Sequence, residues 1–201
     1  MATKFSFDPQ RTAVLSMDLH NSIVSQYARD AEGLMARVAA VQGRARTLGL
    51  RVMHVRVGFR PGLPEISNRN LLGASIRNNP KHAQAFTGEA GAIHRAGAPL
   101  GDEVVITKHR VSAFPGTDLE MILRANDIET LVLFGIATSG VVLATFLDAF
   151  DLDFRVAVIH DCCVDLNPEV HACLVEKVFP RYGTVLSAGE FLDVGIEHGA
   201  E

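Results

Sequence analysis

The chain alternates between short β-branched runs and longer segments with helical spacing. TAVLSMD (12–18) is apolar until its closing carboxylate and predicts a buried strand. In residues 30–48, Leu34, Val38, Val41 and Ala45 recur at helical intervals and the pattern stops at Gly49, so a helix is predicted there. RVMHVRVGF (51–59) and EVVITK (103–108) predict a second and third strand. TDLEMILRAND (117–127) predicts a short helix with Thr117 as N-cap. TLVLFGI (130–136) predicts a fourth strand, and SGVVLATFLDAFDLD (139–153) a helix with Val142, Phe146, Ala149 and Phe150 on its apolar face. RVAVIHD (155–161) predicts a fifth strand. NPEVHACLVEKVF (167–179) predicts a helix with Asn167 as cap and Pro168 in its first turn, and TVLSA (184–188) is a candidate sixth strand.

Strands alternating with helices indicate an α/β fold in which a parallel sheet is covered on both faces. The nearly unbroken apolar strands agree, because a sheet buried on both sides needs no polar face. No repeat and no linker divides the chain, so one domain over 1–201 is expected. Residues 60–100 are rich in Gly, Pro and Asn and carry little periodicity. Such a stretch is too long for an idle connector and is expected to act as a lid or an oligomer contact. In sheets of this kind ligands gather beyond the carboxyl ends of the strands, which makes strand-end residues the candidates for chemistry.

Composition narrows the classes. At 201 residues with 48% apolar content the chain can bury a full core. A formal charge of −4, with no basic segment, argues against nucleic acid and against an anionic membrane surface as partners. No apolar run is long enough to span a bilayer, and MATKFSFDPQRT lacks a signal core. Three cysteines, Cys162, Cys163 and Cys173, are too few for a disulfide framework, so reduced thiols and a cytoplasmic location are expected.

Several strand-end residues carry chemistry. Asp18 ends the first strand at a low-dielectric edge, where a carboxylate can exchange protons; a turn or cap role is the plainer alternative. Lys108 ends the third strand, and its ammonium could steady that carboxylate or a developing anion, or it could be a solvated lysine. GIATSG (135–140) joins a strand to a helix, where unsatisfied amides suit an anion or oxyanion. His20 and His160 lie near strand ends, but such histidines more often serve as hydrogen-bonding residues. Asp161, Cys162 and Cys163 follow the fifth strand, and buried small core residues are the more frequent role for such cysteines. No metal spacing, phosphate loop or nucleophile elbow is present, so no metal and no cofactor are expected.

Taken together, VLSMDLHNS (15–22), VRVGFRPGLPE (55–65), ITKHRVSAFPGTDLEMIL (106–123), LVLFGIATSGVV (131–142) and the strand before HDCC resemble the isochorismatase-like hydrolases, over about residues 10–192. The resemblance implies a three-layer αβα fold around a six-stranded, mostly parallel sheet. It implies catalytic roles for Asp18 and Lys108, an oxyanion hole from the backbone amides of Ala137 and Val141, and a cis peptide at Ile136–Ala137. It also implies a small-molecule substrate and a homo-oligomer, a dimer or larger. Cysteine hydrolases of this family carry their nucleophile where this chain has Val141, and an isopropyl group has no lone pair to attack with. Thr138, Ser139 and Thr145 are nearby hydroxyls, none at the matching position. RVGFRPGLPE replaces the metal motif of the nicotinamidase branch, which argues against that activity. Arg60, Arg77 and Arg110 are candidates to hold a carboxylate substrate. Three readings stay open: a hydrolase of a vinyl ether or C–N bond using Asp18 and Lys108 without a cysteine, an inactive relative that binds a ligand or partner, and an amide hydrolase with a relocated thiol.

Overall fold

The computed structural model describes residues 8–194. Most of the polar N-terminal stretch read above lies outside them. Six strands form one sheet: β1 (Thr12–Met17), β2 (Arg51–Val57), β3 (Val105–Lys108), β4 (Thr130–Ile136), β5 (Arg155–Val164) and β6 (Thr184–Leu186), in the order β3-β2-β1-β4-β5-β6. Every neighbouring pair is parallel. The one antiparallel contact among the described residues is an isolated bridge from His20 to Ile93, outside the strands. The central strands β1 and β4 are buried along their whole length, as their unbroken apolar sequences require.

Eight α-helices are present among the described residues: α1 (Asn21–Tyr27), α2 (Ala31–Thr47), α3 (Leu71–Asn78), α4 (Pro80–Gln84), α5 (Leu119–Ala125), α6 (Leu143–Asp151), α7 (Pro168–Cys173) and α8 (Ala188–Leu192). The crossovers β1-α2-β2 and β4-α6-β5 run in opposite directions along the sheet. Right-handed crossovers therefore place α2 and α6 on opposite faces, which gives three layers. The same reversal splits the loops that leave β1 and β4 and opens a crevice between them. Gly135 allows this close approach: its φ is 147°, and a Cβ there would lie 2.1 Å from the Met17 carbonyl oxygen.

Helix ends follow local chemistry where the sequence supplies it. Asp30 caps α2 by accepting from the Gly33 amide at 2.9 Å, and Gly49 leaves the helix with φ 74°. Asn167 caps α7 through the Glu169 amide at 2.9 Å. Other readings need correction. The helix expected at 117–127 begins at Leu119, with Thr117 Oγ1 still accepting from the Leu119 amide at 3.2 Å. The helix expected over 139–153 opens with a wide turn, Thr138–Val142, in which Gly140 is non-helical, before α6 proper. Phe150 is 41% exposed rather than on the buried face, and packs edge-on against Tyr182. The helix expected over 167–179 ends as α7 at Cys173 and continues as irregular turns. The short helices α1 and α8 carry too little periodicity to be read, although Ser187 and Glu190 form a capping box at α8.

A polar cluster ties α2 to the β2 and β3 edge. Arg46 grips Glu103 with both ends of its guanidinium, at 2.7 and 2.9 Å, and His54 Nε2 donates to Glu103 Oε2 at 2.9 Å. Burial would raise the Glu103 carboxyl, but these donors and the Leu100 amide outweigh it and hold it at about 2. Burial holds His54 below its ordinary value, with Glu103 opposing in part. Both groups are depressed on folding, so their stabilisation is complete above the unfolded values and is lost as pH falls through the folded ones. Stability is therefore expected to decline from about pH 6.5 toward pH 2. Glu103→Gln should flatten the part below about pH 4.5, on the order of 1–2 kcal/mol after solvent screening, in urea melts across that range.

Candidate active site

The site forms where β1, β3 and β4 end. At Asp18 the chain leaves β1 in the left-handed region, φ 53°, which Asp tolerates better than most residues, and its amide donates to the Val55 carbonyl at 2.8 Å. Lys108 closes β3 opposite Val57, and its side chain crosses the end of β2. Its Nζ lies 2.8 Å from Asp18 Oδ2 and also donates to the Arg110 carbonyl at 3.0 Å. The two side chains are 4% and 8% exposed, so this is a buried ion pair rather than a pair of solvated charges. The pair uses only one carboxylate oxygen: Asp18 Oδ1 is buried with no hydrogen-bond partner.

His20 is the neighbour that could have supplied a donor. Its Nδ1 lies 2.8 Å from the Gly91 carbonyl and its Nε2 lies 3.2 Å from the Val57 amide. A carbonyl must accept and an amide must donate, so the partners assign a neutral ring with its proton on Nδ1. The 3.8 Å approach of Nε2 to Asp18 Oδ1 is then lone pair against lone pair, with no proton between. His20 is a fully buried clamp that holds residues 91–93 over the strand ends. Its expected role as a hydrogen-bonding residue is the one the geometry fits.

Beside the pair lies the turn after β4. The Ile136–Ala137 peptide is cis, as the resemblance implied. Val141 is 3% exposed and lines the same cavity as Asp18 and Lys108, together with Ile136, Ala137 and Gly140. The nearby hydroxyls are engaged elsewhere. Thr138 Oγ1 contacts His171 Nδ1 at 2.9 Å, and Thr145 Oγ1 accepts from the Ala113 amide at 3.0 Å. The Ser139 hydroxyl hydrogen-bonds the Asp165 carboxylate, whose Oδ2 also accepts from the Ser139 amide at 2.8 Å. None of the three residues lines the cavity.

The cavity encloses about 570 Å³, room for a small molecule. Residues 65–86 cover it, with α3, α4 and their flanks supplying Glu65, Ile66, Arg69, Ile76 and Phe86 to its wall. The lid expected within 60–100 is therefore a wall of the cavity in this chain. Most of the lining is apolar, and Tyr27 adds a phenol. Burial first, and the Asp165 charge second, push that phenol above its ordinary range, so it remains neutral.

Other sequence candidates fall outside. The register of β5 against β4 jumps from Val158 opposite Leu133 to Cys163 opposite Gly135, so β5 bulges where His160, Asp161 and Cys162 lie. None of residues 160–163 lines the cavity. Asp161 Oδ1 accepts from the Ala188 amide at 2.7 Å, and its carbonyl accepts from Arg37. Burial pushes the Cys163 thiol up to about 12 and the Cys162 thiol higher still, and Cys173 is exposed away from the cavity. No sulfur is therefore placed to act at the Asp18–Lys108 pair.

Of the three arginine candidates, Arg60 pairs with Glu65 Oε1 and Arg77 donates to the Leu63 and Ile66 carbonyls, and neither lines the cavity. Arg110 does, while one of its nitrogens donates to the Glu65 and His109 carbonyls. Arg69 also lines it, and among the described residues its guanidinium has no polar partner. Glu65 and Arg69 were not singled out from the sequence because they lie in the segment without periodicity, where nothing signals which side chains turn inward. Among the described residues no group of three or more His, Cys, Asp or Glu is arranged to hold a metal ion.

Comparison with known proteins identifies the family and the fold. The Isochorismatase domain family matches residues 12–190. The chain is 30% identical to a maleamate amidohydrolase of Pseudomonas putida, over 80% of this chain and 74% of the relative. It is 29% identical to an N-carbamoylsarcosine amidase of an Arthrobacter species, over 88% and 68%. An isochorismatase family protein of Burkholderia thailandensis superposes with a TM-score of 0.80 at 26% identity, over 92% of this chain and 95% of that one. The chain belongs to the isochorismatase family and has its three-layer α/β fold.

Proposed function

We propose that this member of the isochorismatase family hydrolyses a C–N bond in a small molecule at the Asp18–Lys108 pair, without a covalent cysteine intermediate. The observation that carries the reading is the 2.8 Å contact of two buried, oppositely charged side chains on the wall of the cavity. Asp18 lies on the cavity wall with Oδ1 free of any hydrogen-bond partner, which places it to act as a base. Asp18 takes a proton from water, and the oxygen freed by it bonds to the substrate carbonyl carbon. The C–N bond then breaks, and the proton passes from Asp18 to the leaving nitrogen. The backbone amides of Ala137 and Val141 receive the charge that develops on the carbonyl oxygen, and Lys108 steadies the site throughout.

The relatives named as amidohydrolase and amidase support a C–N bond over a vinyl ether. The positions of the three cysteines count against a relocated thiol. Val141 favours the second reading, a ligand-binding relative without turnover, because a hydrocarbon stands where a nucleophile would.

The test is a panel of small amides, carbamoyl compounds, esters and vinyl ethers, assayed with untreated and iodoacetamide-treated protein. Turnover of the C–N substrates that survives alkylation is the expected result. Turnover abolished by alkylation would return the chemistry to a thiol, and binding without turnover in every arm would select the ligand-binding reading.

A further inference from the structure

Glu65 is the second carboxylate on the cavity wall, and the reaction described above gives it no task. It lies between the end of β2 and α3, with its side chain only 9% exposed. One oxygen, Oε1, is fully engaged by Arg60, whose side chain is 67% exposed and sits on the solvent side. The other, Oε2, is buried with no hydrogen-bond partner. Arg110 reaches Glu65 but donates to its backbone carbonyl, not its carboxylate.

A buried charged acceptor without a donor is costly, and it persists where something else supplies the donor. Ile66, Ile76, Phe59 and Phe86 on the same wall carry no donor in their side chains, and among the described residues none of the polar side chains that also line the cavity reaches Oε2. An anionic group at Oε2 would meet the Glu65 carboxylate directly, like charge against like charge. The position therefore suits a neutral or cationic donor.

We infer that Glu65 sets substrate class, its Oε2 accepting a hydrogen bond from an N–H donor on an amide or amine whose remaining body is apolar. The inference rests on the reading of this cavity as the substrate site. Glu65 positions and selects; it takes no part in proton transfer.

The experiment reads binding rather than turnover, so it stands or falls separately from the hydrolytic reading. Calorimetry compares 2-naphthamide with methyl 2-naphthoate, which is similar in size but lacks an N–H. The wild-type protein is expected to prefer the amide about tenfold or more, the weight of one hydrogen bond to a charged acceptor. Glu65→Gln keeps the shape and the Oε1 contact but can present an amide donor in place of Oε2. It is expected to bring the ratio to about one or invert it, with the ester affinity changed less than about twofold. A second measurement needs no variant: in wild-type protein with carboxyl-labelled glutamate, the Glu65 carbon signal should shift on adding the amide and not the ester. Equal binding of both compounds, no binding of either, or a preference that survives Glu65→Gln with a silent Glu65 signal would each overturn the inference. Selective binding without hydrolysis in the substrate panel would leave it standing and remove the hydrolytic reading alone.

Discussion

Asp18→Asn is expected to remove turnover by a factor of about 10² to 10⁴, the usual contribution of a positioned acid or base. The same change should cost about 3 kcal/mol of stability, because it leaves the Lys108 ammonium, 4% exposed, without its counter-charge. These two losses have different causes and can be separated. In Asp18→Asn/Lys108→Met both charges are gone and an unbranched apolar side chain fills the lysine's path. Stability should then return to within about 1 kcal/mol of the wild type, since replacing a buried pair by apolar groups is often neutral. Activity should not return. Urea melts and turnover of the best compound from the substrate panel provide both readings. If the single variant were as stable as the parent, the pair would be a solvated contact and the site would lose its electrostatic basis. If stability fell and turnover did not, the pair would be structural only.

Val141→Cys is expected to produce the largest gain. Cysteine is slightly smaller than valine, so the 3%-exposed position accepts it at about 1 kcal/mol or less. A thiol on this wall would share the cavity with the Lys108 ammonium and stand at the entry to a helix, two features that favour the reactive thiolate. At about pH 6.5 it should be alkylated by iodoacetamide at least about tenfold faster than exposed Cys173, as followed by peptide mass spectrometry. Cys162 and Cys163 should stay unlabelled in the folded protein, because burial keeps both thiols protonated. The variant should also show a burst of product with activated esters, the sign of an acyl-enzyme. An introduced thiol no more reactive than Cys173 would mean that the position does not face the charged pair.

Several parts of this picture are legible without coordinates, for a reason visible in particular residues. β1 and β4 are recognisable because sheets buried on both faces demand unbroken apolar runs, and Thr12–Met17 and Thr130–Ile136 supply them. α2 is recognisable because Leu34, Val38, Val41 and Ala45 repeat on one face between Asp30 and Gly49. Phe150 is misplaced by the pattern because helical spacing identifies a face but not how far the neighbouring layer extends over it. The lid helices α3 and α4 escape the pattern because, at eight and five residues, they are too short for an apolar face to repeat, although Asn70 caps α3 by accepting from the Gly73 amide.

The sequence by itself determined the α/β class, the strands of the sheet, the family, and the presence of a hydrocarbon, not a thiol, at position 141, since each is written in local order and residue chemistry. The tertiary structure alone decided which charges meet. Lys108 reaches Asp18 only because β2 separates their strands by one sheet spacing on each side, and His20 is a clamp only because Gly91 and Val57 occupy both its nitrogens. Glu65 and Arg69 enter the wall only because the segment after β2 folds back over the crevice. Hydrogen-bond partners and burial are properties of distance between remote segments, and distance between remote segments is what a linear pattern does not carry.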